Sequence, residues 1–375
     1  MKIAIVASDY WPTIGGVQTA VHNIALQAQR HGHTAIILSS LPSGEAAATE
    51  SVADMRIYRF RWGRRPLWSL PWRALASLWG MWRALRRFNP DVVYVHFLTI
   101  NALWVLLLHY LWRFKLVVSS RGNDVQGIPL RSRIQRWMLP RLFRRADAIV
   151  FCSEFLIHDA EPFLQNVPSA TPICVIGEGF DPKEFEGRRA FEYPAPYILG
   201  MARLVHKKGF DLLIQGFAKI ADEFPRVHLL IAGDGEERRN LEQLIERLKM
   251  QEQIKLLGFA DREKSVALFL GCEFFVLSSR IEPFGIVILE AMWARKAVLA
   301  TRCGRVIHLI QPGVNGALVE IDADALAAGM REMLVHHDTT RAMGARAPAT
   351  IREHTWESVF RQYLELFERV QSPRG

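Results

Sequence analysis

Two glutamates eight positions apart, Glu282 and Glu290, lie on either side of a break in the chain, Pro283-Phe284-Gly285. The run before them, Cys272 to Ser279, reads as a buried strand ending in small polar residues. Pro283 biases Glu282 away from helix and suits a first helical turn; the dense apolar stretch Phe284–Trp293 reads as that helix. Helix starts expose unpaired N–H groups, so the backbone of Phe284, Gly285 and Ile286 forms an anion site. Glu290 then lies about 6 Å further in, at about 1.5 Å per residue. A ligand with its pyrophosphate at the helix start would set one sugar beside Glu282 and a ribose beside Glu290. That is the layout of a nucleotide-sugar. The plainer reading is a proline-started helix with two unrelated glutamates.

Three more pieces carry chemistry. Arg203 and Lys208, five apart at a predicted helix start, supply a planar fork and a point charge, the pair a pyrophosphate needs. Gly233-Asp-Gly235 is a strand-to-helix turn, common in any α/β protein. Gly15 and Gly16 cap the first helix after a strand, where a backbone can approach a ligand closely.

The elements that must position these residues alternate. Strands are predicted at 2–7, 33–39, 91–96, 115–119 and 148–152, with helices at 17–30 and 102–112. A polar, proline-containing stretch, 181–196, precedes a second series. Its strands are 197–201, 227–232, 254–257, 274–277 and 297–300; its helices are 209–222, 236–249, 285–295 and 323–335. Apolar strands alternating with helices predict parallel, doubly wound α/β sheets. The expectation is two Rossmann-like domains, 1–190 and 191–355, facing each other across a ligand cleft. A last helix in 356–375 is placed to cross back to the first.

The 375 residues, half of them apolar and 23% charged, suit two globular domains. Four scattered cysteines without a Cys-x-x-Cys argue for reduced thiols and against zinc or a disulfide framework. Residues 1–190 hold 23 Lys/Arg against 14 Asp/Glu, while residues 191–375 balance at 24 each. Between Asp54 and Asp91 stand nine arginines and no acid, with Trp62, Trp68, Trp72, Trp79 and Trp82. A second basic patch runs from Arg131 to Arg145 around Trp137. Three readings remain open: a segment lying on an anionic membrane, a single-stranded nucleic-acid surface, or a solvated basic helix packed by its tryptophans. No run reaches 18 clean apolar residues, which argues against a transmembrane helix.

Taken in order, from Tyr10 and Gly15-Gly16 through Arg203, Lys208 and Glu282-x7-Glu290 to Gly313-Val-Asn-Gly316, the chain resembles the retaining glycosyltransferases of family 4 over nearly its whole length. The resemblance implies the GT-B fold and a sugar moved from a nucleotide diphosphate to an acceptor. It implies that Arg203 and Lys208 hold the diphosphate, Glu290 the ribose hydroxyls and Glu282 the transferred sugar near its reaction centre. Gly15 and Gly16 would approach the donor phosphate, and the Phe284–Ile286 backbone would contact sugar and phosphate. It implies no metal; the sequence has no Asp-x-Asp in a convincing loop, and no other cofactor is expected. Front-face substitution with retained anomeric configuration follows from the resemblance alone.

Two departures stand out. The family often carries a histidine where this chain has Arg121, in Ser120-Arg121-Gly122-Asn123-Asp124. Arg121 and Asp124 remain sugar or acceptor candidates, but an arginine cannot be a base. His96 either supplies part of that role or is a satisfied core histidine. Around Cys303-Gly304, Arg305 and His308 replace two family positions. The expected partners are a nucleotide-sugar donor, a glycan or lipid-linked acceptor and an anionic membrane surface, with no nucleic acid. The expected place is cytoplasmic, on the inner face of the membrane. The alternatives are a nucleic-acid-binding protein, or an epimerase or hydrolase of the same fold.

Overall fold

The runs rich in Val, Ile and Leu form two sheets, each with helices packed on it. The computed structural model describes residues 1–10, 15–40, 49–52, 55–60, 70–127 and 132–372. They divide into two units: Met1–Glu178 with Trp356–Gly375, and Gly179–Thr355.

The first unit holds strands β1 (Lys2–Ala7), β2 (Thr34–Ser40), β3 (Thr49–Val52), β4 (Met55–Phe60), β5 (Val92–His96), β6 (Leu116–Ser120), β7 (Ala148–Phe151) and β8 (Ile173–Val175). They lie in the order β3-β4-β2-β1-β5-β6-β7-β8. All neighbours are parallel except β3, which runs antiparallel to β4 at the edge. Helices α1 (Gly16–Arg30), α2 (Leu70–Phe88), α3 (Ile100–Leu111), α4 (Asn123–Gln126), α5 (Arg133–Arg145) and α6 (Glu154–Leu164) connect them. β1, β5 and β6 are buried along almost their whole length, as expected of a parallel strand covered on both faces.

In the second unit β9 (Tyr197–Met201), β10 (His228–Ala232), β11 (Ile254–Gly258), β12 (Phe275–Leu277), β13 (Val298–Thr301) and β14 (Gly316–Val319) lie in the order β11-β10-β9-β12-β13-β14. Its helices are α7 (Phe210–Ala218), α8 (Arg238–Arg247), α9 (Arg262–Gly271), α10 (Ile286–Trp293), α11 (Val306–Leu309), α12 (Ala323–Val335) and α13 (His337–Thr350). The strand order reverses beside the first strand in each sheet, at β1/β5 and at β9/β12. Such switch points are where open α/β sheets bind ligands, beyond the carboxyl ends of the strands.

The last helix, α14 (Trp356–Gln371), belongs to the first unit. Its Trp356, Val359, Phe360, Tyr363, Phe367 and Val370 join one core with Ile3, Ile5, Ile24, Ile37 and Tyr94. The division falls after Glu178, earlier than the expected 190. Residues 184–191 are tied to α9: Glu184 pairs with Arg262, Arg188 with Glu263, and the Phe191 N–H donates to the Ala267 carbonyl at 2.8 Å.

Two local readings are corrected. Part of the Arg/Trp segment is a strand: β4 pairs with β2, and Arg59 on it is buried. α10 begins at Ile286 behind Gly285, so Pro283 lies in the loop before the helix rather than in its first turn.

Candidate active site

β9 and β12 end side by side in the second sheet, Phe275 opposite Leu199. The loops leaving them bring the sequence-predicted residues together. After β9 the chain passes Arg203 and turns through His206–Lys208. Gly209 ends that turn with φ 65°, and a Cβ there would stand 2.0 Å from the Ser278 carbonyl oxygen. Only glycine lets the turn close onto the end of β12. The Ser278 hydroxyl then donates to the Lys208 carbonyl at 3.0 Å and the Arg280 N–H to the Lys207 carbonyl at 2.8 Å. The fork of Arg280 grips Asp211 at 2.6 and 2.7 Å, fixing the same loop to α7.

Held this way, the Lys208 ammonium lies 2.5 Å from Glu282 Oε2, and the Ser279 hydroxyl donates to the same oxygen at 3.3 Å. Glu282 is buried. From the other side Gly304, at φ 49°, approaches so closely that a Cβ would stand 1.9 Å from the Glu282 carbonyl oxygen. Arg203 is exposed. The Gly233–Gly235 turn is what positions it: the Leu204 N–H donates to the Asp234 carbonyl at 2.9 Å and the Glu237 N–H to the Leu204 carbonyl at 3.0 Å. Lys207 is a third cation on this turn that sequence reasoning passed over, since only its neighbour fitted the motif. Arg305 stacks over the Phe284 ring at 5.5 Å, so its guanidinium flanks the residues before α10.

Glu290 lies one turn inside α10, buried in an otherwise apolar helix. Arg262 at the start of α9 donates to Glu290 Oε1 and, through Nε at 2.8 Å and a second nitrogen, to Glu184 Oε2. Burial pushes the Glu290 carboxyl above its usual range, Arg262 opposes this, and Glu184 adds to it. Arg262 was not predicted; spacing along the chain gives no sign that residue 262 reaches residue 290. The Asp322-Ala-Asp324 triplet is a helix cap: Asp322 accepts from the N–H groups of Asp324 and Ala325 at the start of α12.

In the first unit, Gly15 caps α1 and Gly16 is its first residue, with the Thr19 N–H bound to the Gly15 carbonyl at 3.0 Å. Residues 11–14 before them lie outside the described residues. His96 ends β5 opposite Ala7 and is wholly buried. Its Nδ1 shares a hydrogen bond with Tyr94 Oη at 2.8 Å, and burial with Arg121 nearby holds it well below the usual histidine range, neutral. Arg121 is also buried: it donates to Glu178 at 3.0 Å, Tyr94 Oη at 3.1 Å and Tyr363 Oη. Asp124 accepts from the N–H groups of Leu98, Arg121 and Gly122 and from the Ser120 hydroxyl. These groups brace the first sheet and α14. Arg121 and Asp124, read from the sequence as sugar or acceptor candidates, thus make their hydrogen bonds within the first unit.

The basic segment is spread over three helices. α2 packs on α3 and α3 on α5. Arg83 stacks on Trp79, Arg86 on Trp82 and Trp112, Arg141 on Trp137 and Arg145 on Tyr110, at 3.7 to 5.8 Å from ring centroids. Trp79, Trp137, Ile134 and Leu111 are exposed, Leu111 by 76%. From Phe60 to Ala146 only two acids occur, Asp91 and the fully buried Asp124. Arg61, Trp62, Arg64, Arg65, Trp68 and Arg131 lie outside the described residues, as do the side chains of Trp72 and Arg73. Among the described residues no helix is long and apolar enough to cross a membrane.

Both units are similar to known proteins. Residues 183–350 match the family model for glycosyl transferases group 1, and residues 15–179 the glycosyl transferase 4-like domain. A mannosylfructose-phosphate synthase of Agrobacterium fabrum is 31% identical over 193 residues, 48% of this chain and 42% of that protein. The chain thus spans under half the length of that relative. An N-acetyl-α-D-glucosaminyl L-malate synthase of Bacillus anthracis is 25% identical over 389 residues, 99% of this chain and 98% of that one. The Anabaena protein Alr3699/HepE, solved in complex with UDP-glucose, superposes with a TM-score of 0.78 at 21% identity, covering 98% of this chain and 100% of that one. With two α/β units of GT-B type and both halves matched, the chain belongs to the group 1, family 4-like glycosyltransferases.

Proposed function

We propose that the protein is a retaining, metal-independent glycosyltransferase that takes a sugar from a nucleotide diphosphate. One observation carries this reading: Arg203, Lys207 and Lys208 cluster at the β9/β12 switch point against Glu282, with Glu290 a turn further along α10. The cations would meet the diphosphate as it leaves and stabilise the charge developing there. Glu282 would face the transferred sugar and Glu290 the ribose. Retention by front-face departure is taken from the family resemblance, with Glu282, held by Lys208 and Ser279, beside the transferred sugar. The HepE complex with UDP-glucose makes UDP the first nucleotide to try. A panel of UDP- and GDP-sugars, screened for thermal stabilisation of the purified chain, tests the reading; stabilisation by one donor that Lys208→Ala removes is expected. No response to any of them would overturn it.

The acceptor in this proposal is lipid-linked and met at an anionic membrane. The support is the exposed Arg/aromatic face of α2, α3 and α5, where charge would be drawn to acidic headgroups and tryptophans would sit at the interface. A nucleic-acid surface would leave the Arg203, Lys208, Glu282 and Glu290 arrangement without a purpose.

A further inference from the structure

Glu290 is a charged group in an apolar place. It sits on an eight-residue helix whose other buried members are Ile288, Leu289, Ala291 and Met292. β12 and β13 supply only apolar side chains and a threonine, and α13 turns Thr340, Met343, Gly344 and Ala347 inward. The charged groups acting on Glu290 are Arg262 and Glu184. Arg262 is itself fixed on three sides: Glu184 takes Nε and one terminal nitrogen, Phe185 lies under the guanidinium at 5.8 Å, and the remaining nitrogen meets Glu290 Oε1. Oε2 of Glu290 takes no hydrogen bond from the described residues. A ribose diol offers two hydroxyl donors, and a carboxylate that accepts only, held in one orientation, suits it.

We propose that Arg262 is a positioning residue of the donor site: it presents Glu290 as an oriented anion with one oxygen left for the ribose. It also ties that anion to residues 182–185, the turn just after the chain enters the second unit. The inference rests on the reading of Glu290 as the ribose anchor. Its consequence is a pH signature. Burial favours the neutral carboxyl and Arg262 opposes it, so without Arg262 the carboxylate form, and donor affinity with it, is lost at a higher pH as the solution is acidified.

The test is calorimetric titration of the full chain with UDP, then GDP and ADP if UDP is silent, from mildly acid to alkaline pH. Arg262→Gln should weaken nucleotide binding most at the acid end of the range, approaching about tenfold where the carboxyl is mostly protonated if its titration moves by about one unit, and the loss should shrink as pH rises. Arg262→Lys should retain most of the affinity. Glu290→Gln should bind weakly at every pH, and adding Arg262→Gln to it should cost nothing further. Unchanged or tighter binding by Arg262→Gln would overturn the proposal, as would a loss that is constant with pH and adds to that of Glu290→Gln. If Glu290→Gln binds like wild type, or the wild type binds none of the three nucleotides, the ribose-anchor reading fails and takes this one with it. If Glu290→Gln weakens binding and Arg262→Gln does not, only the present inference fails.

Discussion

Lys208 and Glu282 hold each other at the candidate centre, so removing either changes two things at once. Lys208→Ala should weaken donor binding about thirtyfold, roughly 2 kcal/mol for a charge-assisted bond to phosphate. It should also lower thermal stability by leaving Glu282 buried without its partner, and Lys208→Met with Glu282→Gln should restore part of that loss. Wild-type donor affinity in the single variant would remove Lys208 from the diphosphate. The two glutamates should separate in steady-state kinetics: Glu290→Ala raising KM, Glu282→Ala lowering kcat. The opposite pattern would mean that the donor runs the other way along α10. His96 makes a prediction of another kind. Its buried ring resists protonation, so the unfolded chain binds the proton first, and stability is present above the ordinary histidine value and lost as pH falls below it. His96→Gln should flatten that acid-side slope by up to about 1.4 kcal/mol per pH unit in denaturant titrations. An unchanged slope would show that the ring is protonated in the folded state.

At the scale of elements, the close approach of Gly304 to the Glu282 carbonyl is the contact most open to test. Gly304→Ala must move the loop before α10, at a cost of about 1–3 kcal/mol, and should depress kcat more than donor KM because Glu290 lies beyond the disturbance. Melting curves and kinetics on the same preparation would check it; an unaltered kcat would mean that the loop gives way without moving Glu282. The same element shows what the sequence made legible. The period-free apolar runs were sufficient for the strands around both switch points, and Glu282-x7-Glu290 with Arg203 and Lys208 named residues that the fold gathers at the second of them. What stayed hidden came from distance along the chain. Arg262 reaches Glu290, Arg121 reaches Glu178 and Tyr363, and no local pattern announces either pairing. β4 is hard to read because an arginine, Arg59, takes one of its inward positions beside Met55 and Ile57. Gly285 in a left-handed conformation delays α10 past Pro283, the residue whose fixed backbone suits a helix start.

Across the whole molecule, the uneven charge becomes a surface on α2, α3 and α5. Changing Arg83, Arg86, Arg87, Arg141, Arg144 and Arg145 to Gln should release the protein from vesicles rich in anionic lipid, at about 1 kcal/mol for each residue near the surface. Neutral vesicles should show little difference between the two proteins. Co-sedimentation gives the answer, and equal partitioning of both proteins on anionic vesicles would leave the face as a solvated basic surface. One further feature bears on how such a chain comes to be made. α14 completes the core of a unit whose other residues precede it by the whole of 179–355. At synthesis rates of about 5–20 residues per second, the first sheet waits on the order of tens of seconds for Tyr363 and Phe367 to leave the ribosome. During that interval the core around Ile3, Ile24 and Tyr94 lacks the share that α14 supplies, and Arg121 lacks one of its partners. The second unit, continuous in sequence, is under no such delay. The half of the chain that is translated first is thus the last to finish folding, and a protein shortened by its final helix would be left in that unfinished state.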